Sequence, residues 1–450
     1  MIDTHCHLEM TQFDGDRDEV ITRAHSCGVT DMLTIASDVE SSEKAMALAG
    51  QYDGLYYTCG VHPHNASTLD DWAIQRLRDM LPGASAIGET GLDYHYEHSP
   101  RHVQAEAFLR HIALSKETGL PLVIHSREAS EDTLRIIRDE DVRNGVLHCF
   151  SGSPAMADAV LSRGLYISFA GVVTFKKADE LRKIAAIVPD DLIVVETDAP
   201  YLAPVPYRGK RNEPAFIIRT ASLLAQLRGI TLSDLDRITT LNSRKLFGMG
   251  QIVEEGRIAY KIRDSLYLNV TNRCTNNCGF CVRYQTDFVK GHNLRLDREP
   301  ATAEIKASIG DPTIYSEVVF CGYGEPLLRL KTVEETARYV KERGGVVRIN
   351  TNGLANAVHG RNVLPILAGI VDKLSISLNA QDEQTYVELC KPAVKNAYGQ
   401  LLNFIKEAVK YVPDVTVTVV DVPSVDIEKC RSLAAALGVK FRVRLLDNVG

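Results

Sequence analysis

Short hydrophobic runs alternate with amphipathic segments from the first residues of the chain onwards. In the segment Arg101–Thr118, for example, Phe108, Ile112 and Leu114 recur at the spacing of one helical face, with polar residues between them. Eight such runs and their connecting segments predict an N-terminal (β/α)8 TIM barrel, with a doubly wound sheet as the alternative. The predicted strands are 1–4, 31–35, Leu55–Cys59, 85–88, 122–124, 146–147, Tyr166–Phe169 and 192–195.

A second alternation of strands and helices begins at residue 265. Six strands here predict a C-terminal partial (β/α)6 barrel, in a chain that is α/β throughout. Glycines among polar residues in 249–257 separate the two alternations, which predicts domains 1–255 and 256–450. The predicted strands are 265–270, 317–320, 346–349, 374–377, 415–420 and 441–444, and the predicted helices are 302–308, 333–343, 395–411 and Ile427–Ala436.

Composition is that of an ordinary globular protein, since 45% of the residues are hydrophobic and 24% are charged. No apolar run approaches the ~18 residues of a membrane helix, and the N-terminus lacks a secretion signal, so we expect a cytoplasmic protein. In that reducing compartment the ten cysteines are expected to be thiols or metal ligands. The net charge of −7 argues against a protein that coats DNA non-specifically.

Metal-ligand side chains follow five of the predicted strands in the first half. Because the strand ends of such a barrel converge on one rim, these side chains are expected to meet there. Four imidazoles and two carboxylates suit two divalent ions, ~3.5–4 Å apart, that share a carboxylate and act on a phosphodiester. The pattern does not choose between Mg²⁺, Mn²⁺ and Zn²⁺. The candidates are His5, His7, Glu89, His125, His148 and Asp198.

Three cysteines in the second half, Cys274, Cys278 and Cys281, have the spacing Cys-x3-Cys-x2-Cys. Three thiolates can hold three irons of a [4Fe–4S] cluster and leave the fourth iron open to a small molecule. A zinc site is the alternative, but it wants a fourth ligand nearby, and the next candidates, His292 and Cys321, lie well downstream. We therefore expect the cluster.

With these motifs in view, residues 1 to about 255 resemble the TatD family of metal-dependent hydrolases. The resemblance implies a two-metal barrel with 3′–5′ DNA exonuclease (DNase) activity or a related phosphoesterase activity. The matching motifs are Asp3-Thr-His-Cys-His7, Gly60-Val-His-Pro-His64, Gly88-Glu-Thr-Gly-Leu-Asp93, His125-Ser-Arg127, His148-Cys-Phe-Ser-Gly152, Glu196-Thr-Asp-Ala-Pro200, Arg208-Gly-Lys-Arg-Asn-Glu-Pro214 and Asn242-Ser-Arg-Lys-Leu-Phe247.

The same resemblance implies how the candidate residues divide their work. Glu89 would bridge the two ions, and Asp198 would also orient or deprotonate the attacking water, so these two are the predicted catalytic residues. His62, His64 and Arg127 are candidates to bind the substrate phosphate. The planar guanidinium of an arginine can donate two hydrogen bonds to such a group. The predicted ion ligands are His5, His7 and Asp198 for one ion and His125 and His148 for the other, with Glu89 shared.

The second half resembles the radical SAM superfamily. Its cysteine motif has an aromatic residue before the last Cys and is followed by Gly322-Tyr-Gly-Glu-Pro326, one residue away from the Gly-Gly-Glu-Pro pattern. The resemblance implies that the open iron binds the amine and carboxylate of S-adenosylmethionine (SAM), and that an electron from the cluster releases a 5′-deoxyadenosyl radical. The candidate SAM contacts are Phe280, Gly322, Gly324, Glu325, Asn352, Ser377 and Asn379.

Together the two halves predict a bifunctional fusion of a phosphoesterase and a radical SAM enzyme. The expected partners are DNA or another phosphoester and a reductant such as flavodoxin or ferredoxin, with no membrane. Two alternatives stay open, a hydrolase of another ester or amide such as aminoacyl-tRNA, and a docking role for one domain without catalysis. Superfamily membership leaves the radical substrate open, and the sequence does not indicate the oligomeric state.

Overall fold

The computed structural model describes residues 1–446 and divides the chain into two compact units between Ile252 and Val253. Each unit has its own hydrophobic core and is described separately. Within residues 1–446, no single helix has the length and hydropathy to cross a membrane. The bent pair Pro214–Arg228 and Leu232–Phe247 meets that criterion when its two helices are combined, by length and composition only.

The first unit is an eight-stranded parallel sheet whose strands lie side by side in sequence order, so the predicted (β/α)8 architecture is confirmed. The strands are β1 (Ile2–Cys6), β2 (Asp31–Thr34), β3 (Leu55–Cys59), β4 (Ala86–Asp93), β5 (Leu122–Arg127), β6 (Gly145–Leu147), β7 (Tyr166–Phe169) and β8 (Ile193–Val195). The helices are α1 (Arg17–Ser26), α2 (Val39–Ala49), α3 (Asp71–Met80), α4 (Arg101–Thr118), α5 (Ser130–Asp139), α6 (Pro154–Leu161), α7 (Asp179–Ile187), α8 (Ile217–Arg228) and α9 (Leu232–Phe247).

The ring of strands closes where β1 meets the chain that follows β8. The Asp198 N–H donates to the His5 carbonyl (2.8 Å), and the His7 N–H donates to the Ala199 carbonyl (2.7 Å). The buried Asp3 carboxylate accepts hydrogen bonds from the N–H (2.9 Å) and the hydroxyl (2.6 Å) of Thr197. The first and last strands are therefore joined at the end that carries the predicted ligands.

An apolar layer inside the ring supports the polar residues at its rim. Val123 and Val146 are buried in this layer, and they precede His125 and His148 by two residues. Residues two apart on a strand share a face, so each valine lies below an imidazole. Phe247, at the end of α9, packs into the same apolar cluster. The candidate ligands thus stand on a packed floor, as in other barrels of this class.

The second unit contains the six predicted strands, which run parallel, and three more. Its strands are β9 (Ala259–Ile262), β10 (Ser265–Leu268), β11 (Phe288–Val289), β12 (His292–Asn293), β13 (Val318–Phe320), β14 (Val347–Thr351), β15 (Lys373–Ser377), β16 (Asp414–Asp421) and β17 (Lys440–Leu445). Seven form one sheet in the order β17-β16-β15-β14-β13-β10-β9. The sequence did not indicate β9, which pairs antiparallel with β10, or the β11–β12 hairpin.

Helices pack against one face of this second sheet. Buried side chains of the strands, such as Phe320 and Leu374, join Val333 and Phe404 of the helices in one core. The predicted helices are present, together with three short ones that the pattern did not indicate. The helices are α10 (Thr302–Ile309), α11 (Leu330–Glu342), α12 (Ala355–His359), α13 (Leu364–Leu367), α14 (Glu383–Cys390), α15 (Ala397–Ala408) and α16 (Ile427–Ala436).

Candidate functional site

Glu89, on β4, is the centre of the polar cluster at the rim of the first unit. Its side chain is almost fully buried, and its Oε1 lies 2.7 Å from His148 Nε2 and 2.8 Å from His125 Nδ1. Its other oxygen, Oε2, lies 3.4 Å from His5 Nε2. A single carboxylate therefore contacts imidazoles from three other strands or their ends, which is the position expected of a bridging ligand.

Asp198 forms the second acidic point of the cluster. Its Oδ1 lies 3.5 Å from His7 Nε2 and 3.8 Å from His5 Nε2. The hydrogen bond from its backbone N–H to the His5 carbonyl fixes this position. His5 contacts both Glu89 and Asp198, so the six side chains suggested by the sequence lie in one continuous cluster.

Electrostatics in the cluster favour ionised carboxylates. Burial alone would raise the pKa of Glu89, but the neighbouring His148 and His62 hold it well below its usual value. Burial alone would lower the pKa of His148, but Glu89 and Glu196 raise it well above its usual value. For His5, burial and the nearby His148 lower the pKa, so its imidazole stays neutral. Metal ions bind ionised carboxylates and neutral imidazoles, so a bound ion would displace the proton that Glu89 and Glu196 favour on His148.

The donor atoms fit divalent cations. Both ring nitrogens of the buried His5 lack a hydrogen-bond partner within residues 1–446, which is a costly state unless a ligand satisfies them. Three groups of side chains have all their ligand atoms within 4.8 Å of one another, and imidazole with carboxylate is a common ligand set for such ions. The groups are His5–His7–Asp198, His62–Glu89–His125 and His5–His148–Glu196.

His62 lies closer to the metal-ligand cluster than its predicted phosphate-binding role requires. Its Nε2 is 3.5 Å from Glu89 Oε1, and its ring centroid is 4.7 Å from that of His125. Burial lowers the pKa of His62 to about 4, so the ring is neutral and available as a ligand. His62 is therefore a further candidate metal ligand as well as a candidate substrate contact.

Asp93, at the end of β4, was not singled out from the sequence. Its Oδ2 lies 3.1 Å from His125 Nε2 and 3.0 Å from His64 Nε2, and the side chain is 1% exposed. When Asp93 accepts a hydrogen bond from the Nε2–H of His125, the other ring nitrogen, Nδ1, which faces Glu89, is unprotonated and free to bind a metal. The signal was present in the sequence, because Glu89 and Asp93 lie four residues apart on one strand.

Two more buried carboxylates lie behind ligand imidazoles. Glu196 Oε1 is 3.5 Å from His148 Nδ1 and accepts a hydrogen bond from the Cys149 N–H (2.7 Å). Glu9 Oε1 is 3.7 Å from His7 Nδ1. At these distances the two carboxylates add negative charge behind the rings, while the hydrogen bond that orients the His7 ring joins its Nδ1 to the Ile35 carbonyl (2.8 Å). Glu196 precedes Asp198 by two residues, a spacing from which the sequence suggests a role beside the ligands. Glu9 follows His7 at the same spacing and was not singled out.

The remaining predicted substrate residues lie on the accessible side of the cluster. The side chain of His64 is 27% exposed, and its ring lies 5.6 Å from that of Tyr96. Arg127 is exposed, and its guanidinium carbon lies 4.8 Å from the centre of the Tyr96 ring. His64 and Arg127 thus form one wall next to the buried ligands, where a substrate can reach them.

In the second unit, the cysteine motif forms a loop after β10. Cys274, Cys278 and Cys281 are partly exposed free thiols. The loop is tied to the end of α14, because the Asn277 N–H donates to the Cys390 carbonyl (2.9 Å) and the Gly279 N–H donates to the Leu389 carbonyl (3.0 Å). Three accessible sulfurs on one anchored loop fit the ligand pattern of a [4Fe–4S] cluster.

Glu325 lies buried beside this loop. Its carboxylate accepts hydrogen bonds from the Asn352 N–H (2.7 Å), the Thr351 hydroxyl (2.8 Å) and the Leu327 N–H (3.1 Å). Burial raises the pKa of Glu325 to about 7, in spite of these donors. A Cβ at Gly324 would lie 2.4 Å from the Arg273 carbonyl oxygen, so this glycine permits close packing against the cysteine loop.

The other predicted SAM contacts lie around the same loop. Asn352 Nδ2 donates to the Thr275 hydroxyl (2.8 Å), and so supports the loop directly. Asn379 is buried, and its Oδ1 lacks a partner within the described chain, as a residue awaiting a ligand hydroxyl would. Phe280 packs against the core, and Ser377 ends β15. For these residues and for Gly322, contact with SAM stays a prediction.

A (β/α)8 barrel with buried imidazoles and carboxylates at the C-terminal ends of its strands has the architecture of a metal-dependent hydrolase. Residues 2–248 match the model of the family described as TatD related DNase, and residues 268–437 match that of the Radical SAM superfamily. The chain belongs to the TatD related DNase family and carries a radical SAM domain in its second half. Both are families of enzymes.

Individual relatives cover the first unit. The metal-dependent hydrolase YcfH of Escherichia coli (strain K12) is 40% identical over 254 residues, which span 55% of this chain and 95% of that protein. The 3′-5′ ssDNA/RNA exonuclease TatD of Cronobacter sakazakii is 38% identical over 257 residues, spanning 55% and 97%. The crystal structure of YJJV, a TatD homolog from Escherichia coli, is 29% identical with a TM-score of 0.54, covering 56% of this chain and 98% of that one.

Proposed function

We propose that the chain is a bifunctional enzyme. Its first unit removes nucleotides from the 3′ ends of DNA with the help of two divalent ions, and its second unit cleaves SAM reductively. The convergence of His5, His125 and His148 on the single carboxylate of Glu89 is the observation that carries the first activity. The 3′-5′ ssDNA/RNA exonuclease among the relatives supports it.

The candidate ligands of the first unit divide between two ions. Bound divalent ions would supply positive charge for the phosphodiester and would acidify a water molecule. Glu89 holds its two oxygens toward different imidazoles, so it can serve both ions. The ligands would be His5, His7 and Asp198 for one ion, and His125 and His148 for the other, with Glu89 shared.

Asp198 is the residue best placed to move a proton. Its side chain is 13% exposed, against 4% for Glu89, so water can reach it. Burial alone would raise the pKa of Asp198, but the hydrogen bond with His7 lowers it, and the ionised carboxylate can accept a proton. The exposed Arg127 and the partly exposed His64 would bind the phosphate on the open side.

In the second unit, Cys274, Cys278 and Cys281 would hold the [4Fe–4S] cluster. The cluster with bound SAM would supply, on one-electron reduction, a 5′-deoxyadenosyl radical. Glu325 would bind the SAM amine. Because burial raises the pKa of Glu325 to about 7, a positively charged amine beside it would restore the ionised carboxylate.

The setting of the enzyme follows from these two activities. We place it in the cytoplasm, where reductants of the flavodoxin or ferredoxin type would deliver electrons to the second unit. DNA or another phosphoester would be the partner of the first unit. A reducing compartment also keeps the ligand cysteines as thiols.

Two single variants of the full-length chain separate the activities. The anaerobically reconstituted protein is assayed with 3′-labelled single-stranded DNA and Mn²⁺, and separately with SAM and dithionite for 5′-deoxyadenosine. Glu89→Gln should lower the exonuclease kcat/KM by about 10²–10³-fold, because the charge that balances the ions is lost. Cys278→Ala should abolish 5′-deoxyadenosine formation. Each variant should leave the other activity at the wild-type level, so each is the control for the other.

Contrary results have distinct meanings. Wild-type exonuclease activity in Glu89→Gln would contradict the proposed metal centre. Formation of 5′-deoxyadenosine by Cys278→Ala would contradict the proposed cluster. A panel of RNA, aminoacyl-ester and amide substrates accompanies the DNA assay. Hydrolysis of an ester or amide in the absence of any DNA cleavage would replace the exonuclease with a hydrolase of that substrate.

A further inference from the structure

The last strand of the second unit, β17, presents different residues to its two faces. Phe441 and Val443 pack against the core that the sheet shares with the helices, and Arg431 of α16 lies 4.9 Å above the Phe441 ring. Successive side chains of a strand point to opposite faces. Arg442 and Arg444 therefore project from the side of the sheet that faces away from the helices, which we call the inner face.

The inner face is polar on the neighbouring strands as well. On β14, the Arg348 guanidinium donates to Asn350 Oδ1 (2.8 Å), and it also reaches the Tyr267 hydroxyl of β10 (3.4 Å). On β15, the half-buried Ser377 is on the same face, since its register partner Thr418 is in turn the register partner of Arg442. A molecule that lies on this face meets hydrogen-bonding groups on three strands, so the face suits a polar ligand.

Acidic residues on the inner face are already matched with cations. Glu317 accepts hydrogen bonds from Arg348 (2.9 Å) and from Lys373 (3.0 Å). Asp414 pairs with Lys440 (2.8 Å). Neither carboxylate is left over to balance a further positive charge on β17.

Among residues 1–446, Arg442 and Arg444 have no such counter-charge, and neither side chain makes a hydrogen bond or an ion pair there. Both residues are exposed to solvent, yet Arg444 is surrounded by enough protein that desolvation, together with the charge of Arg442, lowers its pKa. β17 and β10 run parallel in the same sheet, so Arg444, near the end of β17, lies at the edge of the sheet from which the cysteine loop follows β10. Two cations without a partner in the described part of the chain therefore share one face, at the end of the sheet that carries the cysteine loop.

We propose that Arg442 and Arg444 bind an oxyanion, a phosphate or carboxylate group, on the substrate of the second unit. The planar fork of a guanidinium matches both groups bidentately, and a bound anion relieves the repulsion between the two arginines. Because the cysteine loop leaves β10 at the end of the sheet where Arg444 lies, the remainder of such a molecule can extend toward that loop. Calling this anion a substrate rests on the proposed radical SAM activity, whereas its binding does not.

Equilibrium dialysis of the full-length, anaerobically reconstituted chain tests the proposal. Divalent ions are first removed by chelation and gel filtration, so that the first unit does not bind the probes through metal. The probes are radiolabelled pyrophosphate for a phosphorylated substrate and radiolabelled citrate for a carboxylated one. The test variant is Arg442→Gln/Arg444→Gln. The control is Arg338→Gln/Arg431→Gln, which removes the same charge from exposed arginines of α11 and α16.

We expect wild type and control to bind one of the probes equally well, and the test variant to bind it at least about tenfold more weakly, since it loses both guanidinium forks. The tighter probe identifies the chemical class. Equal binding by the test variant, or no binding of either probe by the wild type, would overturn the proposal. Iron content verifies that the variant retains its cluster. Anion binding without any 5′-deoxyadenosine formation would reject the radical chemistry and leave the anion site standing.

Discussion

The two sites of this chain are constructed in opposite ways. In the first unit, side chains from the ends of five strands surround Glu89, which is 3% exposed. In the second unit, three partly exposed cysteines lie on one loop between Cys274 and Cys281. A site assembled from remote strands depends on the packing of the whole barrel, whereas a loop site depends on a few local ties. We therefore expect the first site to respond to changes at buried groups far from it, and the second to tolerate changes nearby.

Among buried groups outside the ligand cluster, His111 on α4 is expected to have the largest effect, which is on the pH dependence of stability. Its Nε2 accepts a hydrogen bond from the Val61 N–H (3.0 Å), next to His62, and burial lowers its pKa to about 4. Between pH 6.5 and 4 the unfolded chain therefore binds a proton that the folded chain does not. On acidification from pH 7 to 4, the wild type should lose about 3 kcal/mol of stability relative to His111→Gln.

Urea-dependent hydrogen exchange of α4 peptides measures this difference in the first unit alone. His102→Gln, at an exposed position of the same helix, is the matched control and should follow the pH dependence of the wild type. If wild type and His111→Gln respond to pH in parallel, the buried imidazole does not couple to the folding of the barrel.

Substitution of Asp93 is expected to have a smaller effect, which is limited to metal binding in the first unit. Asp93→Asn keeps the shape of the side chain but loses the charge that holds His125 and His64. We expect divalent-metal affinity to fall by about 10–100-fold, because outer carboxylates orient the ligand rings. Competition with a fluorescent chelator measures it. Asp132→Asn, which removes a carboxylate bonded to Tyr94 at the surface, should bind metal as the wild type does.

Substitution of Cys390, which lies in the second unit, is expected to have the smallest effect on stability. Its sulfur accepts a hydrogen bond from Asn379 Nδ2 (3.8 Å), and the neighbouring Cys390 thiol together with burial raises the pKa of Cys278. The ties from Asn277 and Gly279 go to backbone carbonyls, so Cys390→Ala should keep the loop in place. We expect unchanged iron content and a loss of about 1 kcal/mol in stability, as for other small truncations in a core.

Iron analysis after anaerobic reconstitution tests this expectation. Cys430→Ala, which truncates another buried cysteine of the second unit, provides the comparison for stability. A large loss of iron in Cys390→Ala alone would mean that the cluster site extends beyond the three cysteines of the loop.

Hydrophobic alternation was sufficient to locate all eight strands of the first barrel and the six parallel strands of the second sheet. Buried parallel strands form continuous apolar runs, which single-sequence patterns reveal well. The antiparallel strand β9 was not predicted, because Ala259–Ile262 contains a lysine and lies at the edge of the sheet. The β11–β12 hairpin was not predicted, because each of its strands has only two residues, too few to show an alternating pattern.

The candidate ligands were predictable for the same reason, since strand ends must converge in a barrel. The contact of His62 with Glu89 was not, because it depends on the path of the loop after β3. The role of Asp93 depends on which oxygen faces which ring nitrogen, and strand periodicity fixes only the side of the strand. That Arg442 and Arg444 lack an ionic partner within residues 1–446 could be recognised only once the partners of Glu317 and Asp414 were known.

Metal analysis of the reconstituted full-length chain tests the central claim most directly. We expect about two divalent ions and about four irons per chain. Glu89→Ala should lose divalent ions and keep its iron, and Cys278→Ala should lose iron and keep its divalent ions. A wild-type chain that takes up neither set, or variants that each retain both, would contradict the presence of two independent metal sites.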